Sequence, residues 1–320
     1  MRANGAAHGK VILLGEHAVV YGAPALAAGI DRGARATATT LAAGEASRLQ
    51  LGGDSIPADP ASSDDRARAF AALLAEGRAA PSVAVEASSE LPAGGGLGSS
   101  AAIGVAIGRA VAGLFAPEIE GESAARAVAW ERIFHGNPSG IDTAAAAIGG
   151  CFRFTREHGA HPIPVARPLV LCIGWSGSSS STRTMVEGVA RLRARKPAMV
   201  DKSIAGITAL VENAALAVEA GDLLGLGRLF DLNQMILAGL LLSTGPIEDM
   251  CATARAAGAL GAKLTGAGGG GSVIALVGEN QSTDDDAAAA MILTAWRAAG
   301  FSGFVTRVGV PDPEAPEGVA

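Results

Sequence analysis

Pro92-Ala93-Gly94-Gly95-Gly96-Leu97-Gly98-Ser99-Ser100 stands between a short β-branched run, Val83 to Val85, and the periodic apolar stretch Ala101 to Phe115. The run reads as a strand. The stretch reads as a helix, with Ile103, Ala106, Ile107 and Val111 on one face and Ser99 and Ser100 as good N-terminal residues. A glycine-rich turn that delivers a strand to a helix start gathers unpaired backbone N–H groups at the positive end of the helix dipole, which suits an anion. Glycines let the backbone close on phosphate oxygens, and a serine hydroxyl can hydrogen-bond phosphate or ligate a metal ion. Taken alone, the segment has a rival reading as an ordinary flexible turn with a serine cap.

Two glycine runs also fit the dinucleotide fingerprint, Gly96-Leu97-Gly98-Ser99-Ser100-Ala101 and Gly266-Ala267-Gly268-Gly269-Gly270-Gly271. Neither keeps the required context. After the first, Ala116 to Ser123, which contains Glu118, reads as a loop where the end of a second strand is needed. After the second come strand-like residues instead of a helix. The sequence has no G-x-x-x-x-G-K-[ST] segment, so a phosphate loop of another kind is left.

Outward from this loop, 320 residues suffice for two domains, each with its own core. The composition is 49% hydrophobic with only 4% aromatic residues and 44 glycines, which favours close packing of small-residue helices on sheets. A net charge of -6 with scattered Lys and Arg gives no footprint for nucleic acid. Cys151, Cys172 and Cys251 lie far apart in apolar stretches and read as reduced core thiols. The N-terminus lacks a signal-peptide core and no apolar run reaches roughly 18 residues, so a cytoplasmic protein without a membrane partner is expected.

Strands are expected at Lys10 to Leu14, Ala25 to Thr40, Gly150 to Phe154, Leu169 to Ile173, Ala262 to Thr265, Ser272 to Val277 and Phe304 to Val308. Helices are expected at Asp64 to Glu76, Ala124 to Ile133, Met199 to Glu219, Leu223 to Leu241, Ile247 to Ala257 and Asp286 to Ala299. His135 to Asp142 reads as turn-rich, Ser176 to Thr182 as a Ser-rich loop, and the tail after Pro311 as frayed. Segregated strands and helices favour α+β, and a boundary near residue 165 divides the chain into domains 1–165 and 166–320.

Three segments in order carry a resemblance that spans nearly the whole chain: Gly9-Lys10-Val11-Ile12-Leu13-Leu14-Gly15-Glu16-His17-Ala18-Val19-Val20-Tyr21-Gly22, the glycine-serine loop, and Lys263-Leu264-Thr265 with the glycines that follow. Together they resemble the three motifs of the GHMP kinases. Within that family the sequence is most similar to the mevalonate kinases, through Gly15 to Val20, Glu131 to Asp142, and Ser181-Thr182-Arg183. The loop opens Leu-Pro-Ala where the family usually has Pro-Pro-Gly-Ala, but its glycines and both serines are kept. The resemblance implies a two-domain GHMP kinase fold: an N-terminal ribosomal protein S5 domain 2-like domain, a ferredoxin-like α+β domain with extra helices, and an active site in the interdomain cleft. It implies ATP and Mg²⁺ as cofactors and mevalonate as the small-molecule partner, with a homodimer left open. Rival readings are another GHMP small-molecule kinase, for phosphomevalonate, homoserine or a sugar, and a catalytically silent nucleotide binder.

Phosphoryl transfer needs a positioned nucleophile, neutralised phosphate charge and a metal bridging the terminal phosphates. By the resemblance, Pro92, Gly94, Gly95, Gly96, Leu97, Gly98, Ser99 and Ser100 cradle ATP, and Asp142 is catalytic, accepting the substrate hydroxyl's proton or orienting that hydroxyl. Lys10 would stand near Asp142 and lower the alcohol's pKa. Ser100 and Glu131 are the expected Mg²⁺ ligands. Lys10, Glu16, His17, Asp142 and Thr182 are expected to bind substrate, with Ser181 and Arg183 beside Thr182. Without the resemblance Lys10 reads as a surface lysine, Glu131 as a solvated helix residue and His17 as structural, and the Ser-rich segment as a connector and N-cap.

Overall fold

The computed structural model describes residues 1–78, 81–92, 94–115, 121–136, 140–278 and 284–309. The chain forms two compact units that interleave along the sequence. Met1–Lys10, Arg32–Ala93 and Gly98–Gly149 make the first, and Val11–Asp31, Gly94–Leu97 and Gly150–Ala320 make the second. Two long strands account for the interleaving, because β1 (Arg2–Leu14) and β2 (Ala25–Thr40) each belong partly to one unit and partly to the other. The last crossing falls at Gly149–Gly150, ahead of the boundary read near residue 165. It falls there because β6 (Cys151–Thr155) pairs with the first part of β2, Ala25–Ala28, inside the second unit.

In the first unit the second part of β2, Ala34–Thr40, pairs antiparallel with β5 (Val83–Ser89). β5 pairs in parallel with β3 (Arg48–Leu51), which forms an antiparallel hairpin with β4 (Asp54–Pro57). The sequence reading lacks this hairpin. Each of its strands has four residues and buries one of them, Leu49 or Ile56, so no alternation has room to develop. β1 begins at Arg2, not at Lys10, because its Gly and Ala residues are packing material. A Cβ on Gly5 would stand 2.2 Å from the carbonyl oxygen of Ala106 on α2 (Ser99–Ala112).

Among the described residues, four helices complete the first unit. α1 (Asp65–Ala75) is capped by Asp64, whose side chain accepts from the Arg66 N–H, and it buries Ala67, Phe70 and Leu73. α2 packs on α3 (Glu122–His135) at close range, since Cβ atoms on Gly104 and Gly108 would lie 2.6 Å from Trp130 Cδ1 and 2.8 Å from the Ser123 carbonyl oxygen. Arg126 of α3, fully buried, donates to the carbonyls of Leu73 and Arg78 and to Glu122, tying α3 to the end of α1. α4 (Ile141–Ile148) starts within the last two residues of the stretch read as turn-rich, His135 to Asp142, and is entered through Gly140 at φ 88°. Residues 137–139 of that run lie outside the described residues, as do residues 116–120 with Glu118 and the tail after residue 309.

The second unit is built on the antiparallel sheet β11 (Ser302–Val308), β8 (Leu169–Trp175), β10 (Ser272–Val277), β9 (Gly261–Thr265), in that order. Every residue of β9 and β10 is buried, so β10 reads as an apolar run after Ser272, while β9 carries the charged Lys263 at its centre. α7 (Leu223–Gly239) and α8 (Gly245–Ala256) pack on β9, and α9 (Asp285–Ala298) packs on β8 and β11. α5 (Thr182–Arg195) and α6 (Pro197–Ala220) precede them, and β6 pairs with β7 (Gly159–Pro162). Among the described residues α6 is the one helix long and apolar enough to cross a membrane. It packs on α7 and carries Asp201, Lys202, Glu212 and Glu219. Cys151, Cys172 and Cys251 are free and buried, as expected.

Candidate active site

In the first unit α2 starts just after Gly98, whose φ of 73° places it in the left-handed region that glycine adopts without penalty. A Cβ there would stand 3.3 Å from the Cβ of Lys10, so the helix start lies directly against that lysine. The Lys10 side chain is 6% exposed, and its Nζ is 3.0 Å from Oδ1 of Asp142, in the first turn of α4. Asp142 is 39% exposed, so the pair has a buried cationic end and an open carboxylate end.

Beside it, Ser100 donates its hydroxyl to Oε1 of Glu131 at 2.5 Å and accepts from the Trp130 indole N–H at 3.3 Å. Glu131 is buried, with Oε2 3.6 Å from His135 Nε2. Burial pushes the Glu131 carboxyl above its ordinary value, the Ser100 hydrogen bond and the charge of His135 pull it back, Asp142 raises it and Lys10 lowers it. Ser99 turns the other way, with Oγ 3.3 Å from Ser89 Oγ. The fold thus brings Lys10, Ser100, Glu131 and Asp142 together. Lys10 is no surface lysine, and Glu131 is not a solvated helix residue.

Along the glycine loop Gly94, Gly96 and Gly98 all have φ 73°, while the residues between them stay outside the left-handed region. Where left-handed residues alternate with right-handed helical ones, successive N–H groups can turn to one side and make a concavity that suits an anion. Pro92 is half-buried at its start, Leu97 is buried, and the buried Gly95 carbonyl accepts from Ser272 Oγ at 2.7 Å.

The second unit places the remaining expected residues. Glu16 is fully buried, bonded through Oε1 to the Lys263 ammonium and through Oε2 to the Asn233 amide at 3.2 Å. It was expected to line an acceptor pocket, yet both of its oxygens are engaged inside the protein. His17 has φ 61°, and its Nε2–H donates to the Ala267 carbonyl at 2.8 Å. The third glycine run is held by the Ser-rich loop, with Ser180 Oγ donating to the Gly269 carbonyl and the Gly271 N–H to the Ser178 carbonyl, both at 2.7 Å. Gly269 has φ 70°, a left-handed conformation that strains any side chain, so backbone conformation and not hairpin flexibility calls for glycine there. Thr182 is exposed at the start of α5, and Ser181 acts as its N-cap, accepting from the Thr184 N–H at 3.1 Å.

The sequence reading gave no role to Lys263, Asn233 or Trp130. The available signals were a lone charge inside the apolar strand Gly261–Thr265 and an Asn-Gln pair inside apolar α7. For a metal, the donors in place are a serine hydroxyl and a carboxylate. Both are hard oxygen ligands of the kind Mg²⁺ takes in small number beside phosphates and water, so they fit that ion. Among the described residues no group of three or more His, Cys, Asp or Glu side chains could hold a metal.

Residues 66–150 match the family model of the GHMP kinase N-terminal domain, and residues 214–301 match that of the GHMP kinase C-terminal domain. A mevalonate kinase of Thermococcus sibiricus is 34% identical over 84% of this chain and 87% of its own length. The chain belongs to the GHMP kinase family. Within it, this GHMP kinase stands with the mevalonate kinases. The crystal structure of L. major mevalonate kinase in complex with R-mevalonate is 30% identical, with a TM-score of 0.81 over 99% of this chain and 97% of that one. Methanococcus jannaschii mevalonate kinase, 24% identical with a TM-score of 0.79 over 96% of this chain and 98% of that one, shares the fold. The two-domain α+β GHMP kinase fold expected from the motifs is the fold of this chain, and membership carries ATP as the nucleotide.

Proposed function

We propose that this GHMP kinase transfers the terminal phosphoryl group of ATP to the primary hydroxyl of mevalonate, making 5-phosphomevalonate and ADP in the isoprenoid (mevalonate) pathway. The observation that carries the reading is the Lys10–Asp142 pair at 3.0 Å beside the Ser100–Glu131 pair at 2.5 Å. The relatives' activity supports the choice of acceptor.

In this reading the open carboxylate of Asp142 receives or orients the substrate's hydroxyl proton. The buried Lys10 ammonium sits beside that oxygen, favours the alkoxide and offsets negative charge as the phosphoryl group moves. The N–H groups of the loop from Gly94 to Ser100, with Pro92 at its entry and Ser99 at the helix start, hold the ATP phosphates. Ser100 and Glu131 would hold Mg²⁺, which when bound neutralises and orients the terminal phosphates. His17 and Thr182 contact the acceptor's carboxylate or hydroxyls, while Glu16 enters through its buried pair with Lys263.

The limits 1–165 and 166–320 for the two family domains are part of the proposal, supported by family-model matches on either side of residue 165. So is a cytoplasmic setting with small-molecule partners and no nucleic acid, which the net charge of -6 supports. Light scattering of the purified protein tests for a homodimer. The reaction is tested by an ADP-release assay offering mevalonate, phosphomevalonate, homoserine and galactose in parallel. Turnover with mevalonate above the other three is the expected result, and a folded protein that turns over another acceptor, or none, overturns the reading.

A further inference from the structure

The buried ion pair between Lys263 and Glu16 joins two of the sequence motifs at their turns. Glu16 follows Gly15 at the end of β1, and Lys263 lies in β9, which runs into Gly266-Ala267-Gly268. Both side chains are 0% exposed. Lys263 also donates to the Leu264 carbonyl at 2.5 Å and lies 6.0 Å from the centre of the Phe230 ring. Asn233 of α7 donates to the second Glu16 oxygen.

Two further ties run alongside. Thr265 Oγ1 accepts from the Ile12 N–H at 2.9 Å and donates to the Ile12 carbonyl at 3.1 Å. His17 Nε2–H donates to the Ala267 carbonyl. His17 needs such support, since a non-glycine residue at φ 61° carries local strain that persists only where its surroundings over-determine it. A buried ion pair is a poor source of net stability, because desolvation cancels most of the attraction and an apolar pair of equal volume packs as well. Burial correspondingly pushes the Glu16 carboxyl up and the Lys263 ammonium down. What the pair supplies and an apolar pair does not is a directional bond that fixes one turn against the other.

We propose that Lys263 is a positioning residue: bonded to Glu16, it holds the Gly15–His17 turn against the Gly266–Gly268 turn and so sets where the His17 imidazole stands. This rests on the reading of His17 as an acceptor contact. Lys263 touches no reacting atom in this role. Its loss is therefore expected to act on acceptor binding through His17 more than on the nucleotide's site built from Gly94–Ser100 and Glu131, which meets this turn through Gly96 beside Thr265 and Gly266.

The test compares wild type, Lys263→Met and the double variant Glu16→Gln/Lys263→Met, which leaves no lone buried charge and serves if the single variant does not fold. In enzyme matched for folded fraction, KM for mevalonate is expected to rise at least tenfold in both variants, with KM for ATP within twofold of wild type. A second readout needs no turnover: the His17 Nε2–H proton resonance, slowed in exchange by its bond to Ala267, is expected in wild type and lost in both variants. Wild-type KM for mevalonate together with a retained His17 signal in either folded variant overturns the proposal, and so does an equal rise in both KM values. If wild type shows the His17 signal but no mevalonate turnover, the substrate reading fails, and loss of the signal in the variants still decides the role of Lys263.

Discussion

The ammonium of Lys10 meets the carboxylate of Asp142 at 3.0 Å, with the lysine buried and the aspartate open. This asymmetry separates the two residues' effects. Asp142→Asn keeps the shape and hydrogen bonding but removes the proposed proton acceptor, and is expected to lower kcat by about 10²- to 10⁴-fold. Lys10→Met removes the charge while keeping most of the volume, and is expected to lower kcat by about 10²- to 10³-fold. Steady-state ADP release checks both, with nucleotide binding expected within a few-fold of wild type in Asp142→Asn. Wild-type kcat in Asp142→Asn would remove Asp142 from the chemistry.

Ser100 and the buried Glu131 share a hydrogen bond at 2.5 Å in a partly buried setting. Ser100→Ala deletes one proposed magnesium oxygen and leaves the Glu131 carboxylate without that donor. The Mg²⁺ concentration for half-maximal activity is expected to rise about tenfold or more, as for other losses around a metal. Titrating activity against Mg²⁺ at saturating ATP and mevalonate measures the shift, and an unchanged midpoint would take Ser100 out of the ion's environment.

His17 is held below its ordinary pKa by burial, against the opposing effect of its bond to Ala267. A depressed imidazole pKa means that the unfolded chain binds the proton more readily. Stability from this group is therefore complete above the ordinary value of 6.5 and is lost as pH falls from there towards the folded value. Each pH unit of depression is worth about 1.4 kcal/mol. Urea unfolding at pH 7.5 and 5.5 is expected to give a larger stability difference in wild type than in His17→Asn, whose side chain tolerates positive φ and does not titrate.

Burial pushes each of the Cys151, Cys172 and Cys251 thiols up to about 12. Thiolate is the reactive form, so a thiol reagent at pH 8 is expected to modify none of the three in the native protein and all three in denaturant. Mass spectrometry after a short pulse counts the adducts. Rapid native labelling of any of them would contradict its burial.

Much of the fold was legible because its signals are local. β2 and β10 fall where alternation and apolar runs put them, and α1 sits between Asp64 and Glu76 as its periodicity and capping residue require. The β3–β4 hairpin and α4 escaped because four- and eight-residue elements offer too little periodicity. The start of β1 escaped because Gly5 packs against α2, a neighbour that no local window contains.

Family membership and the glycine-serine loop could be read from the chain alone, since motif order and residue chemistry are properties of the chain, and the proposed roles of Lys10, Ser100, Glu131 and Asp142 start from the same motifs. Which of these residues meet is a matter of the folded chain. It put Lys10 on Asp142, buried Glu131 behind Ser100, and turned Glu16 inward to Lys263, 247 residues away. The physical reason is that a charge's role follows from the partner and the solvent it meets. Both are set when distant strands return to one another, and nothing within a few residues of Glu16 records that return.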